Sequence, residues 1–461
     1  MAATGPSPLF MRLIHRIYYN NSAVAHFFSQ RMRPAGILLI LLIPISWTLM
    51  PMYTLGPVYQ LRGMIFAMLS ISILWLLFRR AKVRVTRRLP RLATAGEPLQ
   101  YHIKIHNSGK RTIAGANFLE MAPDNRPGRE LFGNAREPGE ESRNIFDRTL
   151  CFYRWEWLQK KLTTFAAKPS PFIKPLPPGR DAKIHLTLTP KKRGVIVLRD
   201  LRILLPDPMG IFQRCHRTEC IDDKITVLPH RYPVPGIHLP GNARFQLGGE
   251  ALSNTVGQSG DFTSVREYRP GDPIRHIHWK SWARTGKPIV KEYEDVFFPR
   301  YGLILDTFVA PEHADLFEEA VSVAASFAAS IDTNESLLDL MFIHGEAFVV
   351  SSGRGEDRVD GILEVLAGVQ CEPNNDFSSL QQVVLQYRDE LTASICIFTG
   401  WCEQRRDTVE RLYRAGMELK VFSVCRDLNE AQQLLELYPS PITIHCLRAD
   451  EVEADLSMIA S

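Results

Sequence analysis

The stretch Tyr301-Gly-Leu-Ile-Leu-Asp306 is an apolar run that ends in a single carboxylate. A strand of this kind is buried on both faces, which is typical of a parallel sheet covered by helices. Further along, the helical pattern of Glu312–Ile331 precedes another apolar strand at Ala393–Thr399. The segment 299–461 therefore predicts an α/β domain, with Asp306 at the carboxyl edge of its sheet, where ligands bind in such folds.

The segment before this domain has strands of a different pattern. Apolar and polar residues alternate in Leu99–His106 and again in Ala182–Thr189, which is typical of strands with one buried face. Residues 81–230 therefore predict a β-sandwich-like module. Proline, glycine and charged residues interrupt the pattern at 122–180, and we interpret this part as an insertion. Its aromatic patch, Phe152–Trp157, would either bind a partner or pack on its own domain.

The N-terminal part contains the two most apolar runs. Ala35–Tyr53 and Met64–Phe78 are uncharged over 19 and 15 residues, and a helix of about 20 apolar residues spans a bilayer core. We predict a leader at 1–33 followed by a transmembrane helical hairpin at 34–80. A secretory signal peptide followed by a buried helix is the alternative interpretation.

The charge of the chain is concentrated at one end. Residues 1–96 contain 12 Lys and Arg and no Asp or Glu, whereas the remainder contains 43 basic and 50 acidic residues. Basic residues flank both apolar runs, which predicts that both termini and the whole body are cytoplasmic. The mildly acidic body argues against binding to nucleic acid. The eight cysteines show no disulfide or zinc-site spacing and are interpreted as ordinary thiols.

The segment 231–298 contains a stretch at 260–294 in which charged and aromatic side chains are dense and both signs alternate. Its arginines can form bidentate pairs with nearby carboxylates, and Trp279 offers a face on which a guanidinium can stack. We expect Arg266, Arg275 and Arg284 to pair with Asp261, Glu267, Asp272 or Glu292. The predicted binding or network residues are Arg266, Tyr268, Gly271, Asp272, Arg275, His278, Trp279, Lys280 and Arg284.

A catalytic interpretation of the same segment stays open at this point. Asp272, His276 and His278 could act as acid, base or metal ligands of a membrane-bound hydrolytic enzyme. The chain has no Gly-x-Ser-x-Gly or His-Glu-x-x-His signature, and no phosphate-binding Gly-x-x-x-x-Gly-Lys-[Ser/Thr] loop. We therefore predict a protein that is not an enzyme and has no cofactor. A hairpin that transmits a signal is a third alternative.

Several motifs resemble one known family. They are Asp261-Phe262, Val265-Arg-Glu-Tyr268, Pro270-Gly-Asp272, Arg275-x-Ile277-x-Trp279-Lys280, Ala283-Arg284, Lys291-Glu292, Arg193-Gly194 and Asp207-Pro-Met-Gly-Ile-Phe212. The chain resembles the domain of unknown function 58 family on these motifs. The resemblance implies a bacterial inner-membrane protein whose C-terminal domain is similar to a von Willebrand factor A domain. It also implies a MoxR-type AAA+ ATPase as partner, sometimes a transglutaminase-like membrane protein, and a role in protein assembly or substrate handling.

The predicted C-terminal domain lacks the metal ligands of a metal-binding A domain. Such a site needs an Asp-x-Ser-x-Ser sequence after the first strand, since hard cations prefer hydroxyl and carboxylate oxygens. Here Phe308 and Ala310 stand at the two serine positions, and Thr399-Gly-Trp401 stands where such domains often have Thr-Asp-Gly. We predict a degenerate site at Asp306 without metal, unless Thr307 or Asp376 compensates.

Together these patterns predict an α+β multidomain protein. It would combine a transmembrane hairpin, a β-sandwich-like module, a charged motif segment and a von Willebrand A-like α/β domain at 299–461. The predicted function is that of a membrane-anchored scaffold or adaptor facing the cytoplasm. The oligomeric state is not predicted.

Overall fold

The computed structural model describes most of the chain, in two compact units that comprise residues 1–228 and 229–461. The described residues are 8–48, 56–234, 260–295, 299–310, 313–331, 336–344, 346–352, 356–372 and 377–459.

Three helices open the first unit: α1 (Pro8–Arg31), α2 (Pro34–Thr48) and α3 (Gly56–Phe78). Among the described residues, one helix is long and apolar enough to cross a membrane, and it is the part of α3 at Tyr59–Phe78. The apolar part of α2, Pro34–Trp47, is shorter and contains Pro44. The described residues therefore contain one candidate membrane-spanning helix, and the two-helix hairpin stays a prediction. Helix α1 fills the leader, for which we predicted no secondary structure.

The β module follows α3 and forms three small sheets around one core. Its strands are β1 (Val83–Arg88), β2 (Leu92–Thr94), β3 (Leu99–Asn107), β4 (Asn117–Glu120), β5 (Phe165–Lys168), β6 (Asp181–Pro190), β7 (Gly194–Leu198), β8 (Leu201–Pro206), β9 (Gln213–Arg217) and β10 (Asp223–Leu228). The strand orders are β1-β3-β6-β5, β2-β10-β7 and β4-β8-β9. In β3 the side chains of Tyr101, Ile103 and Ile105 point into the core, as the period-two pattern predicts.

The insertion carries three short helices: α4 (Arg129–Asn134), α5 (Ile145–Leu150) and α6 (Phe152–Leu162). Phe132 and Trp155 pack against Ile14 of α1 in a separate small core. Arg154 of α6 is also buried, and its Nε donates to Glu140 at 2.9 Å. Part of the predicted aromatic patch therefore packs on its own unit.

The second unit begins with a hairpin that contains most of the charged motif. Strands β11 (Gly260–Glu267) and β12 (Ile289–Asp295) are antiparallel, and the short helix α7 (Trp279–Thr285) lies between them in the chain. Ile277 forms an isolated bridge to Val290, and both side chains are buried. This apolar contact fixes the chain just before α7 to β12.

The rest of the second unit is a six-stranded sheet between helices. Its strands are β13 (Arg300–Leu305), β14 (Leu337–His344), β15 (Glu346–Ser352), β16 (Ala393–Thr399), β17 (Glu418–Cys425) and β18 (Ile444–Arg448). Its helices are α8 (Ala314–Ser330), α9 (Glu356–Gly368), α10 (Phe377–Tyr387), α11 (Glu403–Arg414), α12 (Leu428–Leu437) and α13 (Val452–Ile459).

The order of this sheet is β15-β14-β13-β16-β17-β18, and β15 is its antiparallel edge strand. From β13 the chain moves outward to β14 and β15, and then returns to β16 on the other side of β13. The carboxyl ends of β13 and β16 therefore lie side by side where the winding direction changes. This is the position at which doubly wound sheets form ligand sites.

Candidate functional site

Asp306 lies at the carboxyl end of β13 and is fully buried. One of its oxygens accepts a hydrogen bond from the backbone N–H of Phe308 at 2.9 Å. The other accepts from the N–H and the hydroxyl of Thr399, at 3.3 and 3.2 Å, because β16 ends beside β13. The sheet therefore positions a carboxylate at the switch point, as the sequence predicts.

Arg405, in the first turn of α11, neutralises this carboxylate. Its Nε and Nη2 lie 2.8 and 2.7 Å from Oδ2 of Asp306, and Nη2 also donates to the carbonyl of Phe308 at 3.3 Å. Burial by itself would lower the pKa of Arg405, but the nearby Asp306 carboxylate outweighs this effect and the pKa is raised. A covalently attached guanidinium thus supplies positive charge at the buried carboxylate.

Thr307 and Asp376 are the two residues that could compensate at the predicted degenerate site. The hydroxyl of Thr307 donates to the carbonyl of Ile343 at 2.8 Å, so its hydrogen is committed to β14. Asp376 lies outside the described residues. Within the described part of the chain, no cluster of three or more His, Cys, Asp and Glu residues is suited to a metal. The absence of metal stays a prediction, but the Asp306–Arg405 pair gives it a physical reason.

Sequence reasoning missed Arg405, although the chain contains a signal for it. Arg405 and Arg406 both stand in the first turn of α11, where the positive end of the helix dipole disfavours cations. Arg406 is paired with Asp407, its neighbour in the chain. Arg405 has its carboxylate partner 99 residues earlier in the chain. A basic residue in this unfavourable position indicates a partner from elsewhere in the fold.

The charged motif forms its network around Asp272. Arg266 of β11 donates to both carboxylate oxygens at 2.7 Å, and the N–H of Arg269 adds a third hydrogen bond at 2.8 Å. The Arg266 guanidinium and the Arg269 N–H together lower the pKa of Asp272 to about 2. Gly271 allows the turn, since its φ of 109° lies in a region that favours glycine. Predicted residues Arg266, Gly271 and Asp272 are thus brought together.

The histidines have their own local contacts. The Nδ1 of His278 lies 2.6 Å from the hydroxyl of Ser281, and the His278 N–H donates to the carbonyl of Ile289. These bonds hold the first turn of α7 against β12, and His276 lies half-buried in the preceding 3-10 turn. The N–H of Tyr268 bonds to the carbonyl of Pro288. The hydrolytic alternative stays a prediction, since these contacts do not test it.

Four other predicted residues are each exposed, and we refer to them together as the basic–aromatic face: Arg275, Trp279, Lys280 and Arg284. Trp279 is 62% exposed, and its ring stacks on that of Trp282 at 5.3 Å. Lys280 and Arg284 are four residues apart, so they lie on one side of α7. Among the described side chains, only Arg266 forms a predicted arginine–carboxylate pair of this motif. Arg275 and Arg284 lie at the surface instead.

The fold and the site describe an α/β domain in which a guanidinium neutralises the carboxylate at the switch point, together with a charged hairpin. In the chain, a β module with an apolar helix precedes this domain. Residues 264–421 match the family described as "Protein of unknown function DUF58". This match confirms the resemblance to that family for residues 264–421.

A curated relative and solved structures were also found. "Uncharacterized protein YeaD" of Bacillus subtilis (strain 168) is 29% identical over 214 residues, which are 45% of this chain. The chain spans about half (51%) of the length of that relative.

The solved structures cover 32% of this chain. A cohesin module from a Clostridium perfringens family 33 glycoside hydrolase matches over 98% of its length, with 10% identity and a TM-score of 0.15. AvmM, which catalyses macrocyclization in alchivemycin A biosynthesis, matches over 88% of its length, with 12% identity and a TM-score of 0.16. Likeness at this level supports no statement about this chain.

Proposed function

We propose that this protein is a non-enzymatic adaptor that is anchored in the cytoplasmic membrane and presents the basic–aromatic face to a protein partner. The exposure of this face is the observation that carries the proposal. The motif contains several basic side chains, but among the described ones Arg266 alone forms an ion pair with Asp272. Arg275, Lys280 and Arg284 remain exposed, as does Trp279. Arginine and tryptophan are enriched at the centres of protein interfaces.

Membrane anchoring is supported by the apolar helix α3. Its outward side chains are large and apolar, and it ends at Phe78, directly before Arg79 and Arg80. Arg62 of α3 donates to the carbonyl of Ser46 in α2 at 3.1 Å, so the two helices contact each other. We propose that α2 and α3 enter the membrane together as a hairpin, with both chain termini in the cytoplasm.

The proposed C-terminal domain is of the von Willebrand A type. Its support is the strand order with an antiparallel edge strand and the carboxylate of Asp306 at the switch point. In this proposal Arg405 stands in for the metal, so the domain would act as a binding module that needs no cation. The chain contains no phosphate-binding loop of its own. A partner that hydrolyses ATP would therefore supply energy, and the family resemblance suggests a MoxR-type AAA+ ATPase, with a transglutaminase-like membrane protein as a further partner.

The proposal is tested by crosslinking and affinity purification from native membranes. We compare wild type with the double variant Arg275→Gln/Arg284→Gln, which removes two exposed charges. The matched control is Arg388→Gln/Arg414→Gln, because these arginines are also exposed and lie in the same unit. We expect wild type and control to recover an AAA+ ATPase, and the double variant to lose it.

Two results would contradict the proposal. Equal recovery of the ATPase with the double variant would show that this face does not bind it. If wild type recovers no ATPase, the proposal that an AAA+ ATPase is the partner would be contradicted. Unfolding midpoints of all variants must agree within about 2 °C, since exposed charges contribute little to stability.

A further inference from the structure

Helix α1 has two apolar faces, of which the protein covers one. Its outer face is formed by large apolar residues spaced mostly three, four or seven apart, which places them on one side of the helix. They are 47–74% exposed: Leu9, Leu13, Ile17, Val24, Phe27 and Phe28. Scattered apolar residues at a surface are ordinary, but six large ones on one side of a single helix indicate an interaction surface.

The opposite face of α1 is held firmly by the insertion. Ile14 is buried against Phe132 and Trp155. The hydroxyl of Tyr18 donates to the carbonyl of Leu150 at 3.0 Å, and the ring of His15 bonds to the carbonyl of Pro127 at the same distance. The insertion therefore fixes the rotation of α1 and determines which side chains remain uncovered.

The charges of α1 show what kind of surface the outer face fits. Arg12 and Arg16 are exposed, and the guanidinium of Arg31 lies 3.9 Å from the centre of the Phe27 ring. The helix contains no Asp or Glu, and the first acidic residue of the chain is Glu97. Apolar side chains on a helix whose charged residues are all arginines match the acyl chains and phosphates of an anionic bilayer surface.

The position of α1 in the fold is consistent with this surface. Only Met32 and Arg33 separate α1 from α2. The N–H of Arg33 bonds to the carbonyl of Ile211, and Gly36 of α2 packs against the same carbonyl. The end of α1 is thus fixed close to the start of the apolar helices, where the proposed membrane surface lies.

We propose that α1 is an interfacial helix, which lies on the cytoplasmic leaflet with its outer face among the acyl chains and its arginines at anionic headgroups. This inference depends on the membrane anchoring proposed above. At ~1.5 Å per residue the helix covers about 36 Å of membrane surface. It would hold the β module at a fixed height and rotation above the membrane.

Site-specific photocrosslinking of the full-length protein in nanodiscs tests the inference. We place p-benzoylphenylalanine at Leu13, Ile17, Ile71 or Ile221, one position at a time, and measure lipid adducts by mass spectrometry. Ile71 lies on the exposed side of α3 and reports the membrane anchor. Ile221 is 81% exposed on the β module and serves as the matched control away from α1. We expect lipid adducts at 13, 17 and 71, and none above the unirradiated background at 221.

The outcomes separate the two proposals. Adducts at 71 without adducts at 13 and 17 would overturn the interfacial helix while leaving the anchor intact. Missing adducts at all four positions would contradict the anchor itself. Protein–protein adducts at 13 and 17 would show that a second copy or another protein covers α1, which also overturns the inference. Equal yields of lipid adducts in anionic and in purely zwitterionic nanodiscs would show that the arginines do not bind anionic headgroups, which would overturn that part of the inference.

Discussion

Replacing Arg405 with alanine should destabilise the second unit strongly. Asp306 is fully buried, and Arg405 provides its positive counter-charge in this structure. Without the guanidinium, the carboxylate keeps only its hydrogen bonds from Phe308 and Thr399. Three neutral donors reduce the cost of burying the charge but do not balance it.

The expected loss follows from the cost of an unpaired buried charge. Removing one partner of a buried ion pair costs about 3–5 kcal/mol. In a unit of this size, 1 kcal/mol shifts the unfolding midpoint by about 2–4 °C, so we expect a decrease of roughly 6–20 °C. The double variant Asp306→Leu/Arg405→Met removes both charges and should recover most of the loss, because apolar replacement of a buried pair is often nearly neutral.

The assay is thermal unfolding of the full-length protein in detergent, followed by tryptophan fluorescence. Trp401 is buried next to this site and reports the second unit. Arg414→Ala is the control, because it removes an exposed arginine from the same helix. A midpoint for Arg405→Ala within 2 °C of wild type would refute the reasoning, as would a double variant no more stable than the single one.

Three further predictions concern other parts of the chain. The pKa of Asp272 is lowered to about 2 in the folded protein, whereas an ordinary aspartate has a pKa of about 4. The pairing of Asp272 therefore stabilises the fold above pH ~4, and this stability is lost as the pH falls through 2. The unfolding midpoint of Asp272→Asn should therefore change less between pH 4 and pH 2 than the midpoint of wild type. Arg154→Ala should cost about 3–5 kcal/mol in denaturant unfolding, whereas Arg136→Ala, which removes an exposed arginine from the same glutamate, should cost less than ~1 kcal/mol. Gly36→Ala should lower the unfolding midpoint, because a Cβ there would overlap a backbone carbonyl, whereas Gly63→Ala meets open space and should not.

Each of these comparisons has its contrary result. Identical pH profiles for wild type and Asp272→Asn would show that the pair contributes nothing to stability. Equal losses for the two arginine variants would mean that burial does not determine the strength of these pairs. An equal effect of the two glycine substitutions would place the cause in the helices themselves and not in the contact with the β module.

The strands of both units could largely be predicted because their signals are local. Period-two alternation identifies Leu99–His106, and a continuous apolar run identifies Ala393–Thr399. The structure has a strand at each place, since every residue contributes to the pattern independently of distant contacts. The position of Asp306 follows from the same logic, because a buried strand must end at the edge of its sheet.

Pairing between side chains could not be predicted in the same way. The charged motif offers several carboxylates to Arg266, Arg275 and Arg284, and composition does not determine which of them is within reach. The structure brings Asp272 to Arg266 through a glycine turn and directs the helix side chains outward. Asp306 and Arg405 meet only because two strands and a helix converge. They are 99 residues apart in the chain, so no local sequence pattern identifies them as partners.

The guanidinium at Asp306 has a consequence for how this domain responds to the cell. A bound ion can be absent, exchanged for another ion or removed by a competitor, so its site has an empty and a filled state. Arg405 is synthesised with the chain and cannot dissociate. In the proposed adaptor, a domain with such a built-in counter-ion would be complete as soon as it folds, and its binding would not depend on the supply of divalent ions.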